Sequence, residues 1–594
     1  TDRAETRLQI QETLTVVRGE QTFKLGADVQ RVRSVYRDLA DATGTYSFAS
    51  AGDFLASSPS RFRQRFGAES AQQNTYAGLF AQGEWHVARR LTLTAGLRYE
   101  RESALRDRDN FGPRLGLALD PTGKGKAVIR LGAGLFYNRA LLRTLDDFTL
   151  GRTVVEFDTN NLPSPERRAF IDANLRFPQT PDADSPLVRD FGARLTDFSR
   201  RLDPNIKIPE SYQAAAGFER ELGRGFAVEA TYTFGRGLHL WREFNANAPR
   251  LPPGFGDFTA YLLSRDFANF RDAAGARPVY GASTAGELVR FTLAPPGADN
   301  IARVVEFGVP VTVFNLGVVG STATVEAALA ALRPLRPDPT RVQVEQLASV
   351  GNSFYHGLVI ESRRRFKLTG KGGGSVRAAY TLSRLVDDGV VNTSSALRVG
   401  DFRAERARSL LDRRHRFVLS ATLDAPRALG RLRLASVLRL GSGAPFNLSL
   451  GGSDRNLDDV GNDRPSFEGD PRLIRWRRPG EPLDPRLLEA FKLPAVGRTG
   501  DLPRNAGTGP PLFAFDLKAE REFRLGDRAR LRPAIEFDNV LNRTVHTFGA
   551  EFINFGALRA DAAEEQRRAF ADNFLVPTRT LRPRTVRVGL RLDF

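Results

Sequence analysis

The stretch that decides the fold is Thr585-Val586-Arg587-Val588-Gly589-Leu590-Arg591-Leu592-Asp593-Phe594. Side chains alternate between the two faces of an extended strand, so one face carries every large apolar residue: Val586, Val588, Leu590, Leu592 and Phe594. A soluble sheet shows this alternation where one face covers a core. A strand of this kind that ends on an aromatic residue is also typical of the closing, membrane-inserting strand of an outer-membrane β-barrel, between lipid and a wet lumen.

The composition limits the classes of protein to which the chain can belong. Its 594 residues suffice for three or four ordinary domains or for one large repetitive architecture. No run of about 18 apolar residues occurs, which excludes a helical membrane protein but not a barrel, whose strands are apolar only at alternate positions. Cysteine is absent, so disulfides and thiol chemistry are excluded. The net charge is +18, but the arginines are scattered rather than clustered, so no nucleic-acid partner is expected.

Segments with period-two alternation recur along the whole chain. About sixteen strands in about eight hairpins can be counted, and short turns alternate with long connections. The long connections lie near 37–73, 139–207, 248–351, 385–413, 451–510 and 541–583. This alternation puts all short turns on one side and all long loops on the other, as in barrels with short periplasmic turns and long extracellular loops. The sequence therefore predicts an all-β fold, an antiparallel transmembrane β-barrel over residues 1–594.

The long connections and the polar strand faces carry further expectations. Four segments have apolar residues at helical spacing and predict helices in the loops: 165–177, 187–202, 324–332 and 562–570. Loops of this size cover a mouth or grip a ligand, and a rigid cap without a ligand is the alternative. The polar strand faces are expected to line a lumen with charges of both signs: Arg98, Glu100, Asp516, Glu520, Glu536, Arg587 and Arg591.

Short motifs spread over most of the chain resemble those of one family. Among them are Leu91-Thr92-Leu93-Thr94-Ala95-Gly96-Leu97-Arg98-Tyr99-Glu100, Phe111-Gly112-Pro113-Arg114-Leu115-Gly116, Asp412-Arg413-Arg414-His415-Arg416-Phe417, Asn462-Asp463-Arg464-Pro465 and Glu536-Phe537-Asp538-Asn539-Val540-Leu541-Asn542-Arg543. In this order they resemble the β-barrel portion of TonB-dependent outer-membrane receptors of the Oar-like group.

The resemblance implies a receptor in the outer membrane of a Gram-negative bacterium that takes up a large or scarce solute, such as a siderophore, a carbohydrate or a peptide. It implies a larger protein, with a signal peptide, a plug domain and a barrel of about 22 strands, of which this sequence is expected to be a portion. The implied partners are outer-membrane lipid and lipopolysaccharide, the TonB–ExbB–ExbD complex acting through the plug, and the barrel assembly machinery. A passive porin and a surface adhesion or secretion platform are the alternatives.

Only one segment has the spacing of a metal site. Asp454, Asn456 and Asp458 follow the Asp-x-Asn-x-Asp pattern that opens a calcium loop, but Pro465 stands where an EF-hand has its glutamate. A turn-rich loop that forms hydrogen bonds with itself is the alternative interpretation. The five histidines have no second histidine at ligand spacing, and His356 and His415 are expected at the membrane interface or in the lumen. No catalytic triad stands out, so neither an enzyme nor a cofactor is predicted.

Overall fold

The period-two patterning produces one large, mainly antiparallel sheet in the computed structural model of the chain. The structure describes residues 2–594 except 38, 68, 154, 160–163, 189–197, 257–277, 283–287, 293–334, 340–342, 370–371, 392–393, 427–429, 431, 452–453, 495–497, 527, 549–550 and 559–561. Within these residues the sheet has 18 strands, and 15 of them form a meander. Three short strands lie beside the meander: Phe198–Leu202, Ala407–Arg408 and Phe523–Leu525. The expected number of about sixteen lies between these two counts.

Each strand of the meander pairs antiparallel with the strand that follows it. In chain order the strands are β1 (Asp2–Arg18), β2 (Gln21–Arg37), β3 (Glu69–Ala88), β4 (Leu91–Glu102), β5 (Asn110–Leu119), β6 (Ala127–Tyr137), β7 (Glu210–Gly223), β8 (Phe226–Asn245), β9 (Gln343–Leu368), β10 (Gly372–Asp387), β11 (His415–Asp424), β12 (Leu432–Gly441), β13 (Leu512–Arg521), β14 (Ala529–Asp538) and β15 (Thr585–Asp593).

The connections are sorted by length between the two ends of the sheet. At one end are short turns, in which Gly19 and Gly225 have φ values of 58° and 71°. Glycine reaches this left-handed region without a steric penalty, which allows the tight reversal. At the other end are the long connections 38–68, 138–209, 246–342, 388–414, 442–511 and 539–584. The short connection 103–109 also lies at this end, so the predicted alternation of short and long connections is observed with that one exception among the strands of the meander.

The end strands of the meander run in the same direction. Within the described residues β1 pairs with β2 and β15 pairs with β14, and no pairing there joins β1 to β15. Because the meander has an odd number of strands, both end strands run from the long-loop end to the short-turn end. They therefore cannot be antiparallel neighbours of each other.

One face of the meander is apolar and open to the surroundings. On β15, Val588 is 80% and Leu590 is 71% exposed, and on β1, Leu8 and Ile10 are 64% and 68% exposed. A globular sheet buries such a face against a core, whereas a transmembrane barrel presents it to lipid. Polar and charged side chains alternate with these residues and lie on the opposite face.

The long connections contain short helices and small sheets. Among the described residues, the α-helices include Ala51–Leu55, Leu142–Thr153, Ser164–Asn174, Pro485–Glu489 and Glu564–Asn573, and the 3-10 helices include Pro471–Leu473 and Phe555–Leu558. Within the described residues, no helix is long and apolar enough to cross a membrane. The small sheets consist of Thr45–Ser47, Arg61–Phe66 and Val155–Asp158; Pro278–Ala282 and Leu288–Thr292; Pro445–Phe446 and Gly507–Thr508; Leu448–Ser449 and Glu551–Phe552; Ser466–Phe467 and Phe491–Lys492; and His546–Thr547 and Arg579–Thr580.

The helices predicted within the loops have three different outcomes. The predictions for 165–177 and 562–570 are confirmed by Ser164–Asn174 and Glu564–Asn573. The helix predicted over 187–202 is wrong at its end, because Phe198–Leu202 forms a parallel strand beside the first residues of β9. There β9 extends beyond β10, so the backbone groups on that side are available to another strand. The helix predicted over 324–332 lies outside the described residues.

Candidate functional site

Two long connections fold together into a cap at the long-loop end of the sheet. The cap consists of residues 442–511 and 539–584, and its Leu448–Ser449 strand pairs in parallel with Glu551–Phe552. Its core includes Ile474 and Leu575, which are fully buried. Burial of each such side chain contributes about 1.5–3 kcal/mol. The cap therefore has a hydrophobic core of its own, separate from the sheet.

An acid loop, residues 454–463, is buried inside the cap. The carboxylate of Asp454 accepts the backbone N–H groups of Asp458 and Asp459 at 3.1 and 2.9 Å. The carboxylate of Asp458 accepts the N–H of Val460 at 3.0 Å. Oxygen atoms that a cation would need are thus bonded to the loop's own backbone, in the pattern of the self-bonded loop.

Asn456 and Asp463 complete the acid loop. The Asn456 side-chain amide donates to the carbonyl of Leu397 at 2.7 Å and to Asp458 Oδ2 at 3.1 Å. Asp463 Oδ2 accepts the N–H of Asn456 at 3.1 Å, while Asp463 Oδ1 is buried without a hydrogen-bond partner among the described residues. In the described part of the chain, no group of three or more His, Asp or Glu is placed to hold a metal ion. Calcium binding by Asp454, Asn456 and Asp458 stays a prediction.

Burial changes the protonation of these carboxyl groups. Desolvation raises the pKa of Asp454 and of Asp458, and repulsion among the neighbouring carboxylates raises both further. Desolvation also raises the pKa of Asp463 to about 6, although the N–H groups of Arg455 and Asn456 act in the opposite direction. Protons therefore offset part of the negative charge in the acid loop near neutral pH.

The acid loop joins the cap to the connection 246–342. Asp459 forms two hydrogen bonds with the Arg336 guanidinium, at 2.6 and 3.0 Å, and both side chains are buried. The Asn245 side-chain amide, at the end of β8, donates to the carbonyl of Asp458 at 3.1 Å. The loop that the sequence singled out thus lies where several connections meet.

Buried ion pairs join the cap to the connection 388–414. Glu405, 1% exposed, accepts two hydrogen bonds from the Arg464 guanidinium at 2.7 and 2.8 Å. Arg504 pairs with Asp387 at the end of β10. This bidentate geometry between arginine and carboxylate fixes direction as well as distance.

A third buried pair lies at the strand ends below the cap. Arg242 of β8 contacts Asp388 at 2.9 Å, and both side chains are 3% exposed. Arg242 also donates to the carbonyl of Gly389 at 2.6 Å. The pairs at Asp387 and Asp388 are consecutive in the chain, so the end of β10 is held from two directions.

The polar face of β3 and β4 carries one of the predicted lumen clusters. Arg98 donates to Glu100 at 2.5 Å, and the Tyr76 hydroxyl, which accepts from Arg98 at 2.7 Å, donates to Glu100 at 2.6 Å. These residues lie on the face opposite the exposed Leu97. The two predicted residues are therefore in contact.

The remaining predicted lumen residues lie on β13 to β15. An open pocket of about 300 Å³ brings Glu520, Glu536, Arg587 and Arg591 together. Lys518 bridges two of them, at 2.9 Å from Glu536 and 3.6 Å from Glu520. Asp516 is not among the pocket residues and pairs with an arginine of β12 instead. That these side chains face a lumen stays a prediction.

Two histidines, His356 of β9 and His415 of β11, each contact a tyrosine of the preceding strand. The Tyr232 hydroxyl and His356 Nδ1 are 2.6 Å apart, and the Tyr380 hydroxyl and His415 Nδ1 are 2.8 Å apart. Both pairs lie on the same face as the exposed Leu358, near the long-loop end. This position corresponds to the interfacial alternative of the prediction rather than to the lumen.

Several residues that hold the site together could not be identified from the sequence. Asp463 and Arg464 belong to a motif that carries the resemblance, but their contacts could not be assigned from it. Arg336 and Glu405 occur singly in long connections, without periodicity or spacing. Their charge partners lie 123 and 59 residues away in the sequence, so local spacing does not reveal the two pairs.

The comparisons with known proteins agree with this architecture. The model of a family described as an outer membrane beta barrel domain matches residues 1–110 and 104–569. The TonB-dependent transporter Oar of Myxococcus xanthus is 25% identical over 184 residues, which are 27% of this chain and 17% of that protein.

A solved structure of an outer-membrane transporter has the same fold. The outer membrane transporter YddB from Escherichia coli superposes with a TM-score of 0.51 at 8% identity, over 99% of this chain and 54% of that one. The ferric enterobactin receptor PfeA from Pseudomonas aeruginosa, as a mutant, has a TM-score of 0.45 at 13% identity, over 100% and 54%.

The chain spans about half the length of these solved structures and a smaller share of the curated relative. The curated relative is a transporter. Since the family model covers most of its length, the chain belongs to the outer membrane beta-barrel domain family and lies in the outer membrane of a Gram-negative bacterium.

Proposed function

We propose that the chain is the barrel of a receptor for TonB-dependent uptake of a large or scarce solute. The observation that carries the proposal is the cap, which packs around its own core at the long-loop end and is tied to neighbouring connections by buried ion pairs. A receptor needs a fixed outer surface to select its solute, and rigidly held loops supply one. A passive pore needs an open mouth instead.

The direction of the end strands supports a barrel larger than the meander. Outer-membrane barrels of a single chain have an even number of antiparallel strands. β1 and β15 run in the same direction, so an odd number of further strands is required between them. A barrel of about 22 strands needs about seven, since 22 less 15 is seven. We infer that the parent protein supplies them.

The charged face is the proposed lumen. Arg98 and Glu100, with the pocket of Glu520, Glu536 and Arg587, carry charges of both signs on the face opposite the apolar band. Such a surface suits contact with a polar plug domain, and the TonB–ExbB–ExbD complex would act on the barrel through that plug. The plug and the complex are partners of the parent protein in this proposal.

The apolar face of β15 is the proposed route into the membrane. Val588 and Leu590 are among its most exposed residues and would contact lipid and the acyl chains of lipopolysaccharide. We propose that the barrel assembly machinery inserts the chain and that this strand is part of what it handles.

An uptake experiment on the parent protein tests the function. Cells with and without its gene receive labelled ferric siderophores, oligosaccharides and peptides, and uptake is measured with and without an uncoupler of the proton-motive force. We expect saturable uptake of one of the three classes, abolished by the uncoupler. A variant with Glu405→Gln, which breaks a buried pair of the cap, should weaken uptake, whereas Glu564→Gln, in an exposed helical pair, serves as the matched control.

Other outcomes would point to other functions. Ohmic conductance of the purified parent protein in planar bilayers, with uptake that ignores the uncoupler, would contradict the receptor and support the porin. Saturable binding of a macromolecule to cells without any flux would support the adhesion or secretion platform. The Glu405→Gln variant distinguishes a porin from a receptor. Loosening the cap should increase the conductance of a porin, whereas it should reduce the uptake of solute by a receptor.

A further inference from the structure

Three exposed arginines lie on the apolar face of the sheet near its long-loop end, and two of them contact the Phe354 ring. Arg406, in the connection 388–414, places its guanidinium carbon 4.0 Å from the centre of the Phe354 ring, and Arg236 of β8 lies at 5.3 Å. Arg384 of β10 lies on the same face, directly opposite His356 in the strand register. We name Arg236, Arg384 and Arg406 the arginine patch.

The arginine patch lies at the edge of the apolar band. Phe354 shares its face of β9 with His356, Leu358 and Ile360. The side chain of Leu358 is 37% exposed and that of Ile360 is 50% exposed. The hydrogen bond between Tyr232 and His356 lies one step nearer the centre of the band. Tyrosine rings with polar tips are typical of the boundary between apolar and polar layers. The patch is therefore just outside that boundary, on the extracellular side.

The three guanidinium groups lack carboxylate partners. All three residues are exposed, and no ion pair or hydrogen bond joins their side chains to another described residue. An arginine of the polar face differs in this respect, since Arg377 pairs with Glu361 at 2.7 Å. Contact with the Phe354 ring holds the guanidinium groups of Arg236 and Arg406 near it without using their N–H groups. The donors of the patch are therefore available to a ligand.

The location and the chemistry together select the ligand. Guanidinium groups bind phosphate through paired N–H donors, more specifically than ammonium groups do. At this height a ligand must stand in the outer leaflet beside the apolar band, so it is part of a lipid. We propose that the arginine patch binds the phosphate groups of a phosphorylated glycolipid headgroup, the lipid A of lipopolysaccharide. This inference does not depend on which solute the barrel carries.

The opposite rim of the same strands supplies a matched control. Arg364 lies on the same face of β9 as Phe354, and Arg220 lies on the same face of β7, both exposed and near the short-turn end. Ten residues separate Phe354 from Arg364, which is about 33 Å of strand and about 25 Å across a membrane at a tilt of about 40°. These two arginines therefore face the other leaflet.

The experiment measures lipid retained by the parent protein after extraction from its own outer membrane. The extracted protein is then mixed with bisphosphorylated lipid A or with its dephosphorylated form, in EDTA to remove bridging divalent ions. Native mass spectrometry compares the amounts of the two lipids that stay bound. We expect the wild type and the Arg220→Gln/Arg364→Gln control to retain bisphosphorylated lipid A. The variant with glutamine at all three patch positions should retain about tenfold less. Arg406→Gln alone should weaken retention with no risk to the sheet, because Arg406 lies in a loop.

Three results would overturn the proposal. Equal retention by the patch variant and the wild type would show that the arginines do not bind the lipid. Equal retention of dephosphorylated lipid A would assign binding to the acyl chains. Displacement of the lipid by millimolar inorganic phosphate would identify an anion site without a preference for lipid.

Discussion

Replacement of Leu590 by arginine tests the facing of β15, on which the membrane assignment depends. Leu590 is 71% exposed and lies one residue from the centre of the nine-residue strand Thr585–Asp593, about 3.3 Å along it. An arginine near the midplane of a barrel's lipid face costs about 2–4 kcal/mol of folding free energy. Leu590→Arg should therefore lower the free energy of unfolding of the parent protein by about that amount.

The neighbouring residue provides the matched control for this prediction. Arg591 points to the opposite face, where its guanidinium pairs with Asp593 at 2.7 Å. Arg591→Leu should have a much smaller effect than Leu590→Arg, because it places no charge in lipid. Both variants are unfolded with urea from bilayers of defined thickness, and the unfolding free energies are compared. Equal effects, or a larger effect of Arg591→Leu, would refute the assigned faces.

Three further predictions concern the cap. The pKa of buried Asp458 is raised, so the stability that its protonated form contributes is complete below the ordinary value of 3.8 and is lost as the pH rises through the folded value. Amides of the cap should therefore exchange hydrogen faster at pH 8 than at pH 5 after correction for intrinsic rates, and Asp458→Asn should reduce this difference. Reversal of the trend by 1 mM calcium would support the calcium prediction. Glu405→Gln leaves the buried Arg464 guanidinium without its charge partner and should lower the stability of the cap by about 3–5 kcal/mol. Amide hydrogen exchange should become faster in the cap and not in β1, and an unchanged rate would contradict a structural role for the pair. Leu448→Ala removes a fully buried core side chain and should lower the stability of the cap by about 2–5 kcal/mol. Limited proteolysis should then cleave the cap while the sheet stays protected. Cleavage of the cap and the sheet together would show that the cap does not unfold separately.

The strands were predictable because their signal is local. Each strand of the meander carries its own alternation, so β4 and β15 could be found from ten residues at a time, and the sorting of connection lengths followed from their order. The strand beside the start of β9 could not be found in this way. Phe198–Leu202 has no strong alternation, and it forms because an extended partner lies next to it.

The cap was not predictable for the opposite reason. Its contacts join residues that are far apart in sequence, such as Arg336 with Asp459 and Glu405 with Arg464. Neither member of such a pair has a pattern of its own, and a single sequence does not show which loops meet. The Asp-x-Asn-x-Asp spacing marked the right place in the chain, but spacing alone does not distinguish oxygen atoms that bind a cation from oxygen atoms that accept backbone N–H groups.

The buried ion pairs explain how the cap is oriented rather than why it is stable. Removing two charges from water costs about as much as their attraction returns, so Glu405–Arg464 and Arg504–Asp387 add little to the net stability of the fold. They do exclude other arrangements, because a displaced cap would leave each charge buried without its partner. The apolar core of the cap supplies the stability, and the pairs fix its position on the end of β10 and on the connection 388–414. A solute bound by the cap would therefore be held at a defined place over the proposed lumen, which is what uptake through a barrel requires.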